Sequence, residues 1–363
     1  MQFLNSILGS FAKSLSHNNR VIGVDVGSSS IKVVEIEDRE GILTLTTYGE
    51  VQLGPYVEKP VGYAVKLEAN QEQEALVDVL RESACQAEQA VFSMPLSSSF
   101  VTNVSITLPD AESDLASMVR VEARKVIPAS LNEITLDWAE VEVGTSDAEE
   151  SAAVRNVLIA AIQNNALERF KVLMQFAGLP QPPTEIECFS AVRALFNTDE
   201  THIAIIDLGA QSAKLYLAHK GLLMRMHRVR AGGAVATAAI AKALELDFAE
   251  AEDKKLHVQR SDAEFSKVQQ IHHESYDRAF REFGQVIREY EQKAGTPLDA
   301  IYVSGGGALF PGTEKHLATA LEREVRRADP FTKVAYPAFM EDTMQEIGPS
   351  FTVALGAALR SFE

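Results

Sequence analysis

Two stretches of this chain, Val21-Ile-Gly-Val-Asp-Val-Gly-Ser-Ser-Ser-Ile-Lys32 and Ile203-Ala-Ile-Ile-Asp-Leu-Gly-Ala-Gln-Ser-Ala-Lys214, follow one pattern. Each opens with a β-branched apolar run and places an Asp at its end. A Gly follows two residues later, then a small polar turn and a second apolar run. The interval from Asp to Lys is seven residues both times, Asp25 to Lys32 and Asp207 to Lys214. Strand, Gly/Ser turn and returning strand predict a hairpin whose tip presents several backbone N–H groups together. Two copies about 180 residues apart predict a chain made of two related halves. Hairpins facing one another would grip a phosphate tail, the tip N–H groups cradling its oxygens. Asp25 and Asp207 would then hold Mg²⁺ through its waters. A single copy would carry no such weight, since most Asp-x-Gly turns only connect strands.

A third element points the same way. Asp299-Ala-Ile-Tyr-Val-Ser-Gly-Gly-Gly-Ala308 reads as a buried strand ending in three glycines, which let backbone approach a flat ligand because no Cβ intervenes. In this setting the ligand is an adenine-ribose unit. A helix around Leu355-Gly-Ala-Ala-Leu-Arg360 follows late in the chain.

This order of hairpin, hairpin, strand-Gly-Gly-Gly and late helix resembles the actin/Hsp70/sugar-kinase ATPase superfamily. Within it, the chain resembles the PilM family of type IV pilus assembly proteins, relatives of the cell-division protein FtsA. The resemblance runs from about residue 20 onward. It includes Val121-Glu-Ala-Arg-Lys-Val-Ile-Pro128 followed by Leu136-Asp-Trp138, and the closing Leu-Arg-Ser-Phe-Glu363. It implies an α/β, actin-like (ribonuclease H-like) two-domain fold with an FtsA/PilM-type extra subdomain.

It also implies residue roles. Asp25, Gly27, Ser28, Ser29, Ser30 and Lys32 would form the first phosphate loop. Asp207, Gly209, Gln211 and Ser212 would form the second, where Ala213 replaces the usual Thr and its hydroxyl is lost. Gly232, Gly233, Glu252 and Lys255 would serve the ribose side, although Glu252 and Lys255 read equally well as an i, i+3 helical charge pair. Gly305, Gly306 and Gly307 would flank adenine and the α-phosphate. Glu187 would orient an attacking water, with Glu185 a competing neighbour and an ordinary helix-surface glutamate the alternative. The implied cofactors are ATP and Mg²⁺, with slow or absent hydrolysis. The implied partners are the N-terminal cytoplasmic tail of a PilN-like inner-membrane protein and the inner-membrane pilus alignment complex. Self-association is left open. The competing functions are an FtsA-type ATPase forming membrane-associated filaments, and a sugar kinase, for which no substrate-cleft Asp is marked.

Composition sets outer bounds. A chain of 363 residues exceeds what one core usually supports. Its net charge of −17 argues against a surface that binds nucleic acid. Two cysteines, Cys85 and Cys188, both beside apolar residues, fit reduced thiols. No 18-residue apolar run and no export signal stand out, which predicts a cytoplasmic protein; the resemblance implies that it reaches the inner membrane through partners. His272 and His273 are adjacent and would diverge on a helix, so the histidines read as structural. Phe3, Leu4, Ile7, Leu8, Phe11 and Leu15 recur at helical spacing, an amphipathic segment over 1–20 expected to pack on its own domain or to be disordered, with a membrane interface or a partner as the alternative.

The expected organisation is a first actin-like part over 21–95, with three strands in 21–53, a helix over Glu72–Ala90 and a strand over Ala90–Pro95. An inserted subdomain over 96–180 would contain strands at Val101–Leu108, Ile134–Val143 and Asn156–Ile162, and helices at Glu112–Val126 and Ala166–Phe176. An acidic turn is expected over 144–151 and a Pro-rich connector over 178–183. An interdomain segment over 181–201, its helix at Glu185–Phe196, would lead to a second actin-like part over 202–363, with a helical subdomain at about 231–296.

Overall fold

The computed structural model describes residues 19–108, 114–141, 154–179, 184–259 and 261–363. The amphipathic segment expected over 1–20 lies, apart from its last two residues, outside the described residues. So do the acidic turn and most of the Pro-rich connector.

The duplicated motif builds two sheets of one design. In the first, β1 (Arg20–Val26), β2 (Ser30–Arg39) and β3 (Ile42–Gln52) form an antiparallel meander, and β4 (Ala90–Met94) and β8 (Thr184–Ile186) add parallel strands, giving the order β3-β2-β1-β4-β8. In the second, β9 (His202–Leu208), β10 (Ala213–His219) and β11 (Leu222–Val229) repeat the meander, and β12 (Ala300–Ser304) and β13 (Arg326–Arg327) repeat the additions. Of the parallel strands, β4 and β12 are buried along their length, as the apolar runs Ala90-Val-Phe-Ser-Met94 and Ala300-Ile-Tyr-Val-Ser304 require.

Between the halves lies a three-stranded sheet, β5 (Ser99–Thr107), β7 (Val154–Gln163) and β6 (Ile134–Glu140), with β7 in the middle. Helix α2 (Leu115–Val126) covers it, and α3 (Asn164–Phe176) returns toward α1 (Ala69–Glu82). A two-pronged ion pair, Arg169 to the buried Glu72 at 2.7 and 2.5 Å, joins α3 to α1. Asn103 on β5 donates to the Leu223 and Met224 carbonyls at 3.1 and 2.5 Å, joining this sheet to β11.

Helix α4 (Glu187–Leu195) is shorter than the span read for it and nearly all buried. Its apolar side chains share one core with Ile22, Val24 and Phe92 of the first sheet and Ile203, Ile205 and Tyr216 of the second. The opposite face of the second sheet packs Ile206, Leu215 and Val303 against Phe280, Phe283 and Ile287 of α8 (Asp277–Ala294), the 3.6-residue face seen in the sequence. Before α8 come α5 (Gly233–Leu244), α6 (Phe248–His257) and α7 (Phe265–Glu274), and after β12 comes α9 (Thr313–Leu321). The late helix is longer than expected: α10 (Glu341–Leu359) crosses the first sheet and keeps Pro349 inside it. Helix α1 ends at Glu82 rather than Ala90, where Ala84 takes a φ of 52° and turns the chain toward β4. Among the described residues no helix is long and apolar enough to cross a membrane.

Candidate functional site

The two hairpin tips line one cleft, whose enclosed space measures about 310 Å³. Their turns close identically: Gly27 N–H donates to the Ser30 carbonyl at 3.0 Å, and Gly209 N–H to the Ser212 carbonyl at 3.1 Å. The tip residues Ser28, Ser29, Ala210 and Gln211 all line the cleft. Among the described residues, none of their backbone N–H groups donates a hydrogen bond. Ungripped donors at a tight turn are what an anion needs.

Strand register sets each Asp opposite its Lys, Asp25 against Lys32 and Asp207 against Lys214. Lys32 reaches back to the tip, donating from Nζ to Ser30 Oγ at 2.7 Å and pairing with Glu50 at 3.0 Å. Glu50 and Gln52, absent from the sequence-based site, also line the cleft. Glu50 comes from β3, whose register sets it directly opposite Lys32. The Asp25 carboxylate accepts no hydrogen bond from the described residues. Burial pushes its pKa up to about 6 against the pull of the Lys32 ammonium, and the Glu187 and Asp207 carboxylates add to the rise. A carboxylate so placed gains from an incoming cation.

Lys214 is spent differently. Its ammonium donates to Glu187 Oε2 at 2.7 Å and to Asp207 Oδ2 at 3.0 Å. Burial opposes its charge, yet Asp207 and Glu187 hold its pKa above the ordinary lysine range. The other oxygen of Glu187, Oε1, accepts the Leu96 backbone N–H at 2.8 Å. Glu187 therefore lies in the cleft wall as the first residue of α4, not on an exposed helix surface, and is 6 % exposed. Glu185 is excluded from the cleft: it is fully buried against Arg193, Ser190 and Arg360. Ala213 is buried in the apolar core beside Leu215 rather than in the cleft, so the hydroxyl missing there leaves no gap in the wall.

The far wall comes from α5 and α6. Lys255 Nζ pairs with Glu252 Oε2 at 2.7 Å and donates to Thr237 Oγ1 at 2.8 Å; Thr237 also donates to Glu252. The i, i+3 pair thus exists and lies in the cleft wall. Burial lowers the Lys255 pKa although Glu252 opposes the shift. Gly62, from the first half, covers this pair with a φ of 79°, and a Cβ there would stand 2.3 Å from Glu252 Oε1. Beside it, the Tyr63 ring contacts Phe248 of α6 with centroids 4.7 Å apart, bridging the halves over the cleft. Gly233 lines the cleft, while Gly232 lies behind it, where a Cβ would meet the Ala210 carbonyl oxygen at 2.4 Å.

The three glycines after β12 all line the cleft, for separate reasons. Gly305 has a φ of 81° and leaves no room beside Asp207, and a Cβ on Gly307 would fall 2.8 Å from Leu208 and the Tyr276 hydroxyl. Only Gly306 has free space where its side chain would be. Two of the three are thus required by the neighbouring strand itself.

His272, one of the histidines read as structural, is 1 % exposed. It lines the cleft, stacks on Phe310 with centroids 3.8 Å apart and leaves Nδ1 without a partner. Burial drives its pKa well below the usual histidine value. From sequence its spacing with Val268 and Tyr276 marks only an inward helix face. Both cysteines are free, Cys188 buried and Cys85 half-buried. Among the described residues no group of three His, Cys, Asp or Glu side chains is gathered to hold a metal directly.

The fold is shared with solved structures. The PilM-PilN type IV pilus biogenesis complex contains a chain 22% identical, matched over 94% of this chain and 98% of that one with a TM-score of 0.77. The ethanolamine utilization protein EutJ of Carboxydothermus hydrogenoformans is 16% identical over 98% and 94% of the two chains, with a TM-score of 0.57. MreB5 of Spiroplasma citri, solved bound to ADP, is 12% identical over 93% and 95%, with a TM-score of 0.51. The architecture is therefore the actin-like ATPase fold. Residues 23–362 match the family model described as type IV pilus assembly protein PilM, and the chain belongs to that family.

Proposed function

We propose that this protein is an ATP-clamping scaffold of a type IV pilus assembly machine, cytoplasmic and held at the inner membrane through its partners. The observation that carries the reading is the pair of matching hairpin tips, with idle N–H donors and an uncoordinated Asp25, lining one cleft with a glycine-rich wall. The Ser28–Ser30 and Gly209–Ser212 tips would take phosphate oxygens, and Lys32 would lie at the first tip beside them. Gly306 offers the open face for a flat base, and Glu252 offers acceptors for ribose hydroxyls. Bound Mg²⁺ would supply charge neutralisation for the phosphates. Asp25 and Asp207 would hold it through its waters.

The partner is a PilN-like protein, whose extended N-terminal cytoplasmic tail would dock on the inserted subdomain (96–180) near Val121–Trp138. There β6 is an edge strand able to accept a further strand, and Val121 on α2 is exposed. Nucleotide would bias the angle between the halves, and through Asn103 the position of that sheet.

Calorimetric titration with Mg·ATP, followed by the tail peptide on the loaded protein, tests the reading. Asp25→Ala should weaken Mg·ATP binding by about tenfold or more while leaving the fold intact. Unchanged affinity in a folded variant would remove the phosphate-loop assignment.

A further inference from the structure

The duplicated hairpin gives each half one lysine at the same register, yet the two ammonium groups do different things. Lys32 lies with a serine hydroxyl at the tip and with Glu50, leaving Asp25 free. Lys214 is buried between Glu187 and Asp207, at 2.7 and 3.0 Å. With Leu96 N–H on Oε1 and Lys214 Nζ on Oε2, each oxygen of Glu187 already holds a donor. Both Glu187 and Lys214 line the cleft. The ammonium therefore takes one of the two acceptor positions of Oε2 and sets a positive charge where a proton leaving a water would have to arrive.

We propose that Lys214 is a tethered cation that disarms Glu187, so that the cleft holds a nucleoside triphosphate without hydrolysing it. This rests on the nucleotide reading of the cleft and adds a reason for binding without turnover. Hydrolysis transfers the γ-phosphoryl group to a water oxygen, while the bridging oxygen departs with the bond's electron pair on the diphosphate. The water must shed a proton as it attacks, and a free carboxylate within hydrogen-bond reach is the group that accepts it. In this chain the one carboxylate of α4 in the cleft is clamped from both sides. Lys214 is thus a positioning residue acting through Glu187. The role read for Glu187 from the sequence is suppressed by its neighbour rather than missing.

The test combines binding and turnover. Mg·ATP affinity is measured first by calorimetry on the unmodified chain; failure to bind there removes the nucleotide reading, and the lock with it. Lys214→Gln keeps hydrogen-bond donors for both carboxylates while removing the charge, and Lys214→Ala removes both. Each should keep affinity within about tenfold. Each should raise single-turnover phosphate release by about a hundredfold, the scale of a general base. Adding Glu187→Gln to either should return release to the starting level, and Lys214→Arg should stay there. A Lys214 variant that binds but releases phosphate no faster would overturn the proposal. So would a folded variant that loses binding, since Lys214 would then be a phosphate ligand. Should neither variant fold, the unmodified chain crystallised with Mg²⁺ and a non-hydrolysable ATP analogue decides. Lys214 Nζ remaining on Glu187 supports the lock, and Nζ moved onto a phosphate oxygen overturns it.

Discussion

At the scale of single residues, the cleft and the core use the same device, a carboxylate matched to donors of fixed position. Glu35 is an instance outside the cleft. It is 1 % exposed, and its carboxylate takes the Gln86 and Ala87 backbone N–H groups at 2.6 and 2.7 Å and the Thr46 hydroxyl. These bonds hold the loop between α1 and β4. Glu35→Ala would strand two backbone donors, a loss of about 3 kcal/mol, read as a lower urea midpoint with the cleft chemistry otherwise intact. The sequence could not identify this role, because Glu35 in an alternating strand reads as an outward polar residue. Lys32 and Lys214 show the converse. Their spacing from Asp25 and Asp207 is plain in the chain, and register makes both cross-strand partners of those carboxylates. What spacing does not carry is the third partner, Glu50 in one case and Glu187 in the other, which arrives from a different element.

At the scale of elements, the strands of both meanders were legible because apolar alternation and the Gly/Ser turns fix them locally. Helix ends were less so: α1 stops before Ala84, whose left-handed backbone no propensity signal marks. The Gly spacing in α10 was also opaque, although it decides how the helix packs. A Cβ on Gly356 would fall 1.9 Å from the Ser190 carbonyl oxygen of α4, and one on Gly23 of β1 would fall 1.9 Å from the Ala354 carbonyl oxygen of α10. Helix α10 is thus pressed on both sides by backbone, at points where only glycine fits. Gly356→Ala should cost about 3 kcal/mol and lower the thermal midpoint by several degrees. An unchanged midpoint in a calorimetric scan would show that the crossing can widen. Because α4 also carries Glu187, the same variant should disturb the cleft more than its distance suggests.

At the scale of the whole molecule, the halves meet over the cleft through Tyr63 and Phe248. An aromatic pair of this kind contributes about 1 kcal/mol. Phe248→Ala should therefore speed release of a fluorescent ATP analogue about fivefold with little change in its association rate; an unaltered release rate would mean the contact does not hold the cleft shut. Stability against acid is a second global property. Burial, aided by the neighbouring His316, lowers the His273 pKa to about 4. The unfolded chain takes up that proton near the ordinary histidine value, so the contribution is full above it and is lost as pH falls toward 4. His273→Gln should flatten the fall in urea midpoint across that window. Comparing variant with parent separates this slope from the opposite one of Asp25, whose raised pKa favours the folded state as pH falls through 6.

The path of α10 also bears on when the molecule can form during synthesis. The helix closes one face of the first sheet, its Phe351, Ala354, Leu355 and Ala358 packing on Val34, Ile36 and Leu45. Those strands leave the ribosome some 300 residues ahead of it. At translation rates of about 5–20 residues per second, the sheet waits on the order of 15 s or more with that apolar face uncovered. The half made first is therefore the half completed last, and a nascent chain of this design would be a natural client for a chaperone that shields β-surface until the last helix emerges.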